Sequence, residues 1–290
     1  MKKYLTTLFT SCLAIMYVIT DVTAQINTPS PSPSAKVEQK VGLTDVVVEY
    51  SRPSVKGRKL FVDVEKFGKI WRTGANAATT ISFSDDVKLE GHNVPAGKYA
   101  LYSIPGEQEW SVMLYKDLQL GGNVGDYDES KEVARFKVTG QQLTMPIESF
   151  TISLGNVTGN SAEIALLWGT YYVPFQMTVD TDSKVMASIE QTMKNPMASV
   201  GNNYAQAASY YLQNDKDLSK ALSWMDKAIE INPSAFWNIQ TKAKIQAKMK
   251  DYKGAIATAK KSLETAKAAQ NDFGYINSNQ TLIAEWSEIE

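Results

Sequence analysis

The feature that most constrains the fold is a change of apolar period near residue 180. Between Val37 and that point, apolar residues come in short β-branched and aromatic runs. Several alternate strictly, as Ile81 and Phe83 do against Ser82 and Ser84. Beyond Asp180 the spacing turns to three and four: Val185, Ile189, Met193, then Leu218, Ala221, Leu222, Met225, Ala228 and Ile229. Strand side chains alternate between two faces, while helical ones share a face at every third or fourth position. The chain is therefore expected to be multidomain β + α. An antiparallel β-sandwich or jelly-roll-like domain should span 37–180, followed by an all-α array of helical hairpins over 183–290.

Strands are expected at 45–50, 79–84, 99–104, 110–115, 134–138, 148–154, 161–167 and 173–179, separated by turn punctuation such as Pro95-Ala96-Gly97, Pro105-Gly106 and Gly155-Asn156. In the helical part, a shift of 34 places Ala221 on Ala255, Leu222 on Ile256 and Ile229 on Leu263. A period of about 34 residues is that of helix–turn–helix repeats. Residues 202–233 would form one unit, 236–269 a second lacking the terminal Pro, and 271–290 a capping helix.

The start of the chain reads as an export signal over 1–24. Met1-Lys2-Lys3 is basic, residues 5–19 carry no charge, and Asp21-Val22-Thr23-Ala24 leads into Gln25 as a cleavage site. A membrane-spanning helix would want roughly 20 apolar residues, and this run is shorter and diluted by Ser and Thr. Lipidation at Cys12 is a minor alternative, because the apolar run continues past that residue. Residues 25–36, rich in Pro and Ser, are expected to be an extended tether. The expected location is exported, periplasmic or secreted, with no transmembrane span after cleavage.

Composition narrows the chemistry. Lys+Arg number 30 against Asp+Glu 31, so no long-range field would hold a polyanion and no nucleic-acid partner is expected. One Cys and one His exclude an intramolecular disulfide and a Cys–His pair in the mature chain, and no metal or cofactor is expected.

Ser51-Arg52-Pro53, Lys56-Gly57-Arg58, Trp71-Arg72-Thr73-Gly74-Ala75-Asn76, Ala96-Gly97-Lys98-Tyr99 and Ile104-Pro105 resemble the successive blocks of the DUF2911 family. Glu109 to Val112, Ala134 to Val138 and Trp168 to Phe175 continue the resemblance in order. The family has no established activity, so the resemblance implies a fold and no mechanism. Its members usually carry Glu after Gly-Ala-Asn, where this chain has Ala77, and Gly where it has Val62. Any acid–base step resting on that Glu would be missing. The helical tail resembles tetratricopeptide (TPR-like) repeats.

Arg52, Lys56, Arg58 and Arg72, interleaved with Pro53, Gly57 and Gly74, are the expected ligand-binding set, with Trp71 as a stacking wall and Asn76 as a directional donor. Arginine forks match carboxylate and phosphate, and Gly permits close approach. The plain alternative is that these cations satisfy loop carbonyls or pair with Glu49, Asp63, Glu65 or Asp85. His92 reads as a turn residue. The Asp126–Ser130 acidic run fails the EF-hand pattern at Lys131 and Lys137, and Gly121 to Gly125 reads as a flexible turn. No catalytic residue is assigned. The expected function is a non-catalytic ligand-binding or scaffolding protein, with β-domain loops taking a small polar or anionic ligand and the helical tail contacting another envelope protein. The alternative is a hydrolase with an acid–base pair among Glu49, Asp63 and His92.

Overall fold

The computed structural model describes residues 28–195 and 200–289. The expected signal peptide and Cys12 lie outside the described residues, as does the tether's start. Ten strands follow in chain order: Ser34–Val41 (β1), Thr44–Ser51 (β2), Thr79–Phe83 (β3), Val87–Leu89 (β4), His92–Val94 (β5), Gly97–Ile104 (β6), Glu109–Tyr115 (β7), Glu132–Thr139 (β8), Gln141–Gly155 (β9) and Ser161–Val179 (β10). They form two antiparallel sheets, one ordered β1-β2-β3-β6-β7-β8 and the other β5-β4-β10-β9. Neither closes into a barrel.

One set of alternating side chains from each sheet meets in the interior. Val46, Val48, Ile81, Leu101, Val112 and Leu114 come from the larger sheet, and Phe150, Ile152, Ile164, Leu166, Val173 and Phe175 from the smaller. Each such side chain contributes roughly 1.5–3 kcal/mol on burial. The β2–β3 connection, residues 52–78, plugs one end. It bridges Ser54 to Ser149 on β9 and Trp71 to Ser103 on β6, tying both sheets together. Its Phe61 stands 5.2 Å from Trp110 and 5.0 Å from Tyr171, and its Trp71 stacks on Trp168 at 5.5 Å.

Three elements differ from expectation. The tether expected to run to Lys36 gives way at Ser34 to β1, an edge strand with exposed Lys36, Glu38 and Lys40. Eight register pairs with β2 order it, and its inward Ala35, Val37 and Val41 make only a weak alternation, broken by Gln39 and diluted by charged neighbours. His92 opens β5 opposite Leu89 and lies against Phe136, so the expected turn is a short strand pair. The expected strands at 161–167 and 173–179 are one strand, β10, bulged on either side of Gly169. That glycine has φ +56, and a Cβ there would come 2.6 Å from Leu60 Cδ1 in the end plug. Bulging lets the strand turn to receive the plug without ending.

Helices Thr181–Lys194 (α1), Gly201–Gln213 (α2), Leu218–Ile231 (α3), Phe236–Lys248 (α4), Tyr252–Lys267 (α5) and Tyr275–Ser287 (α6) follow. The starts of α3 and α5 are 34 residues apart (252 − 218), and each is capped by the preceding Asp, Asp217 or Asp251, accepting from the amide three residues on. Ala221 and Ala255 are fully buried at equivalent positions, which lets paired helices approach closely. Met186, Ile189 and Met193 of α1 pack on the α2–α3 cluster. The two parts meet where Thr181 Oγ1 donates to the Gly159 carbonyl at 2.6 Å and Lys184 pairs with Asp85 at 2.5 Å. Among the described residues no helix is long and apolar enough to cross a membrane.

Candidate functional site

The expected cation set divides into spent and free members. Arg52 donates through Nε to the Phe150 carbonyl at 2.9 Å and through Nη2 to Thr151 Oγ1 at 2.7 Å. Arg58 folds back on its own turn, reaching the carbonyls of Val55 at 3.0 Å and Ser54 at 2.5 Å. Lys56 is exposed, and its amide is tied to Glu148 Oε1 at 2.8 Å. Arg52 and the Lys56 amide thus fasten the plug to β9, while Arg58 braces the turn itself. Trp71 is core, its Nε1 donating to the Gly74 carbonyl at 2.9 Å, so it forms no open wall. Asn76, with φ 60, clamps the Ser32 carbonyl and Ser51 Oγ, both at 3.2 Å. The six residues do not share one open pocket: Trp71 is core, protein oxygens take the donors of Arg52, Arg58 and Asn76, and Lys56 is exposed.

Arg72 is different. Trp71 and Thr73 face the interior, and alternation sends Arg72 to the outer face of the six-stranded sheet. Among the described residues no hydrogen bond or ion pair engages its guanidinium, and Nε is wholly buried without a partner. Gly122 lies directly against it: a Cβ there would sit 3.1 Å from Arg72 Cζ. A side chain with five donors and no acceptor is costly to leave unmatched in a partly dry site.

The surroundings explain how the loop at 116–131 is held over this face. Tyr102 donates to the Gly121 carbonyl at 2.8 Å, Tyr115 accepts from the Asp128 amide at 3.1 Å, and Tyr127 donates to Glu132 Oε1 at 2.8 Å. Tyr127 stacks on Tyr115 at 4.5 Å. Arg135 grips Glu132 with two nitrogens, at 2.6 and 2.9 Å. Burial pushes the Tyr102 hydroxyl up to about 12. Burial, and then the bond to Glu132, raise Tyr127 further, so Tyr102 and Tyr127 remain neutral ties. Burial also raises the Glu65 carboxyl, with the Arg72 charge acting in the opposite direction. Glu65 thus senses the Arg72 charge without an ion pair to it.

Sequence reasoning placed Arg72 in the site and offered Glu65 among the carboxylates near its cations, but missed Tyr102 and Gly122 as its neighbours. Only the Gly121-Gly122 pair carried a signal, that of a backbone able to lie close to something. The hydrolase trio does not converge. Glu49 on β2 pairs with Lys98 at 2.5 Å, Asp63 caps the Lys59 amide at 2.8 Å, and His92 sits in the other sheet. In the acidic run, Asp126 accepts from Asn123 and Asp128 caps the Ser130 amide. Among the described residues no three His, Cys, Asp or Glu side chains group as a metal set.

Fold and site together define a two-sheet antiparallel domain with a covered outer face and an unmatched arginine, followed by tetratricopeptide-like helices. The chain belongs to the DUF2911 family, described as a protein of unknown function, whose model matches residues 32–177. No curated protein matches the chain.

Proposed function

We propose that this is an exported, non-catalytic binding protein whose β domain takes a small anionic ligand at Arg72. The observation that carries the reading is the guanidinium left without any protein acceptor, its Nε buried, on a face where the neighbouring hydroxyls are already tied. A carboxylate or phosphate would accept two parallel N–H bonds from such a fork, the strongest pairing available to it. The absence of a side chain at Gly122 lets the guanidinium lie directly against the loop backbone. The basic start and uncharged run at 5–19 support export.

Titration calorimetry of the full chain with inorganic phosphate, citrate and glycerol phosphate tests the ligand reading. At least one should bind the unaltered protein and fail to bind Arg72→Ala, while Arg58→Ala binds normally. Silence across the three anions, or equal binding to Arg72→Ala, would discard it. Exposing the gene product to its native secretion route, with fractionation of the culture, tests the location.

A further inference from the structure

The helical array holds a second unmatched polar surface, independent of Arg72. Helix α2 carries Asn202, Gln206, Ser209 and Gln213 at i, i+4, i+7 and i+11, a single line running about 16 Å along the helix axis. These four face Trp237 and Asn238 at the start of α4 across a groove of about 340 Å³. That lies within the range that ligand sites occupy, roughly 300–1,000 Å³. Among the described residues none of the six side chains makes a hydrogen bond, although amides and hydroxyls elsewhere in the array do, as Gln240 does with Asn279 at 3.2 Å. Trp237 is 43% exposed, yet its ring is steadied edge-on by buried Phe236 at 5.0 Å.

The lining is unusual for this part of the chain. Lysines stud the other helices, yet the groove contains no charged residue. Apart from the indole, its apolar surface is Ala205 and the ring of Tyr210, whose hydroxyl is spent on Asp182 at 2.9 Å. Peptide recognition takes its specificity from a series of pockets for successive side chains, and this single shallow, open groove supplies none. Side-chain amides each offer a donor and an acceptor, and a hydroxyl does the same. A pyranose ring presents the matching set: hydroxyls that both donate and accept around its rim, and an apolar C–H face that lies flat on an indole.

We infer that the groove between α2 and α4 binds a short neutral saccharide, stacked on Trp237 and hydrogen-bonded by the amide row of α2. This gives the helical array a ligand other than the protein partner expected from its repeat pattern, and it does not depend on the anion site.

The test is calorimetric titration of the full chain with cellohexaose, maltohexaose, xylohexaose and chitohexaose at millimolar concentration. At least one should bind saturably. Trp237→Ala should weaken that binding about tenfold, the loss expected for one aromatic contact of ~1.5 kcal/mol. Gln206→Ala, an exposed helix position that favours Ala, provides a second variant should Trp237→Ala fold poorly, and it too should weaken binding. Arg72→Ala should leave it unchanged. No binding by any of the four sugars would overturn the inference, as would binding unaffected by both groove variants. Preference in the same assay for an uncharged Gly/Ser/Ala peptide would assign the groove to polypeptide instead.

Discussion

The sharpest test of the anion site is a methyl group added next to it, at Gly122. This glycine does not occupy the left-handed region, so Ala is compatible with its backbone. The new Cβ would overlap Arg72 Nη1 and lie 3.1 Å from Cζ and 3.6 Å from Cδ. Non-bonded contacts relax to about 3.5–4.0 Å, so the overlapping Nη1 end of the guanidinium must retreat by roughly 1.5–2 Å. A charged N–H···O bond works near 2.7–2.9 Å, and a displacement of that size breaks a bidentate fork. Losing one hydrogen bond to a charged group costs about 1.5–3 kcal/mol, or ~10- to 150-fold in Kd. Stability should move little: the ~0.4–1 kcal/mol that Gly→Ala gains from the unfolded state at an unstrained position is offset by displacing the half-buried Arg72 side chain, so Tm should stay within about 2 °C. Calorimetry with the responding anion and a thermal melt read the two together. Wild-type affinity in Gly122→Ala would refute the placement of the ligand at Arg72. A Tm lowered by several degrees would show instead that the loop is packed for stability alone.

Replacing Glu65 by Gln removes a half-buried carboxylate whose proton is held more tightly in the folded state than in the unfolded chain. A raised pKa contributes stability below the ordinary value of 4.5 and loses it as pH climbs through the folded value. Glu65→Gln should therefore melt higher than the parent at neutral pH, with the gap closing in acid, and its anion affinity should lose the acid-side increase that protonation of Glu65 gives the parent. Gly42, with φ +57, is pressed against Thr181 and the Gly159 carbonyl where the two parts meet. Gly42→Ala should cost at least ~1–3 kcal/mol in a denaturant melt, since both backbone and neighbour resist. Asp217→Ala and Asp251→Ala each remove a helix cap and should each cost ~1 kcal/mol, nearly additively in the double variant because the caps sit on separate helices.

Much of the architecture was legible because it follows from period alone. Alternating residues such as Ile81 and Phe83 must share a face of a strand, and the stripe through Ala221, Met225 and Ala228 must share a face of a helix. The 34-residue spacing carried through to the starts of α3 and α5 for the same reason. Polar β1 and the three-residue strands β4 and β5 were not legible, since their order comes from backbone pairing with neighbours distant in sequence. Within the candidate site, Arg52, Arg58 and Arg72 look alike in a sequence: each is a loop cation near Gly or Pro. What separates them is the supply of carbonyl oxygens around each one. β9 offers carbonyls to Arg52, and the 54–58 turn offers them to Arg58. The outer face beneath Gly122 offers Arg72 none. Local periodicity, a property of bonded neighbours, therefore determined which elements this chain makes. Whether a given donor finds an acceptor depends on groups brought together from far apart in the chain, and only the tertiary structure decided that.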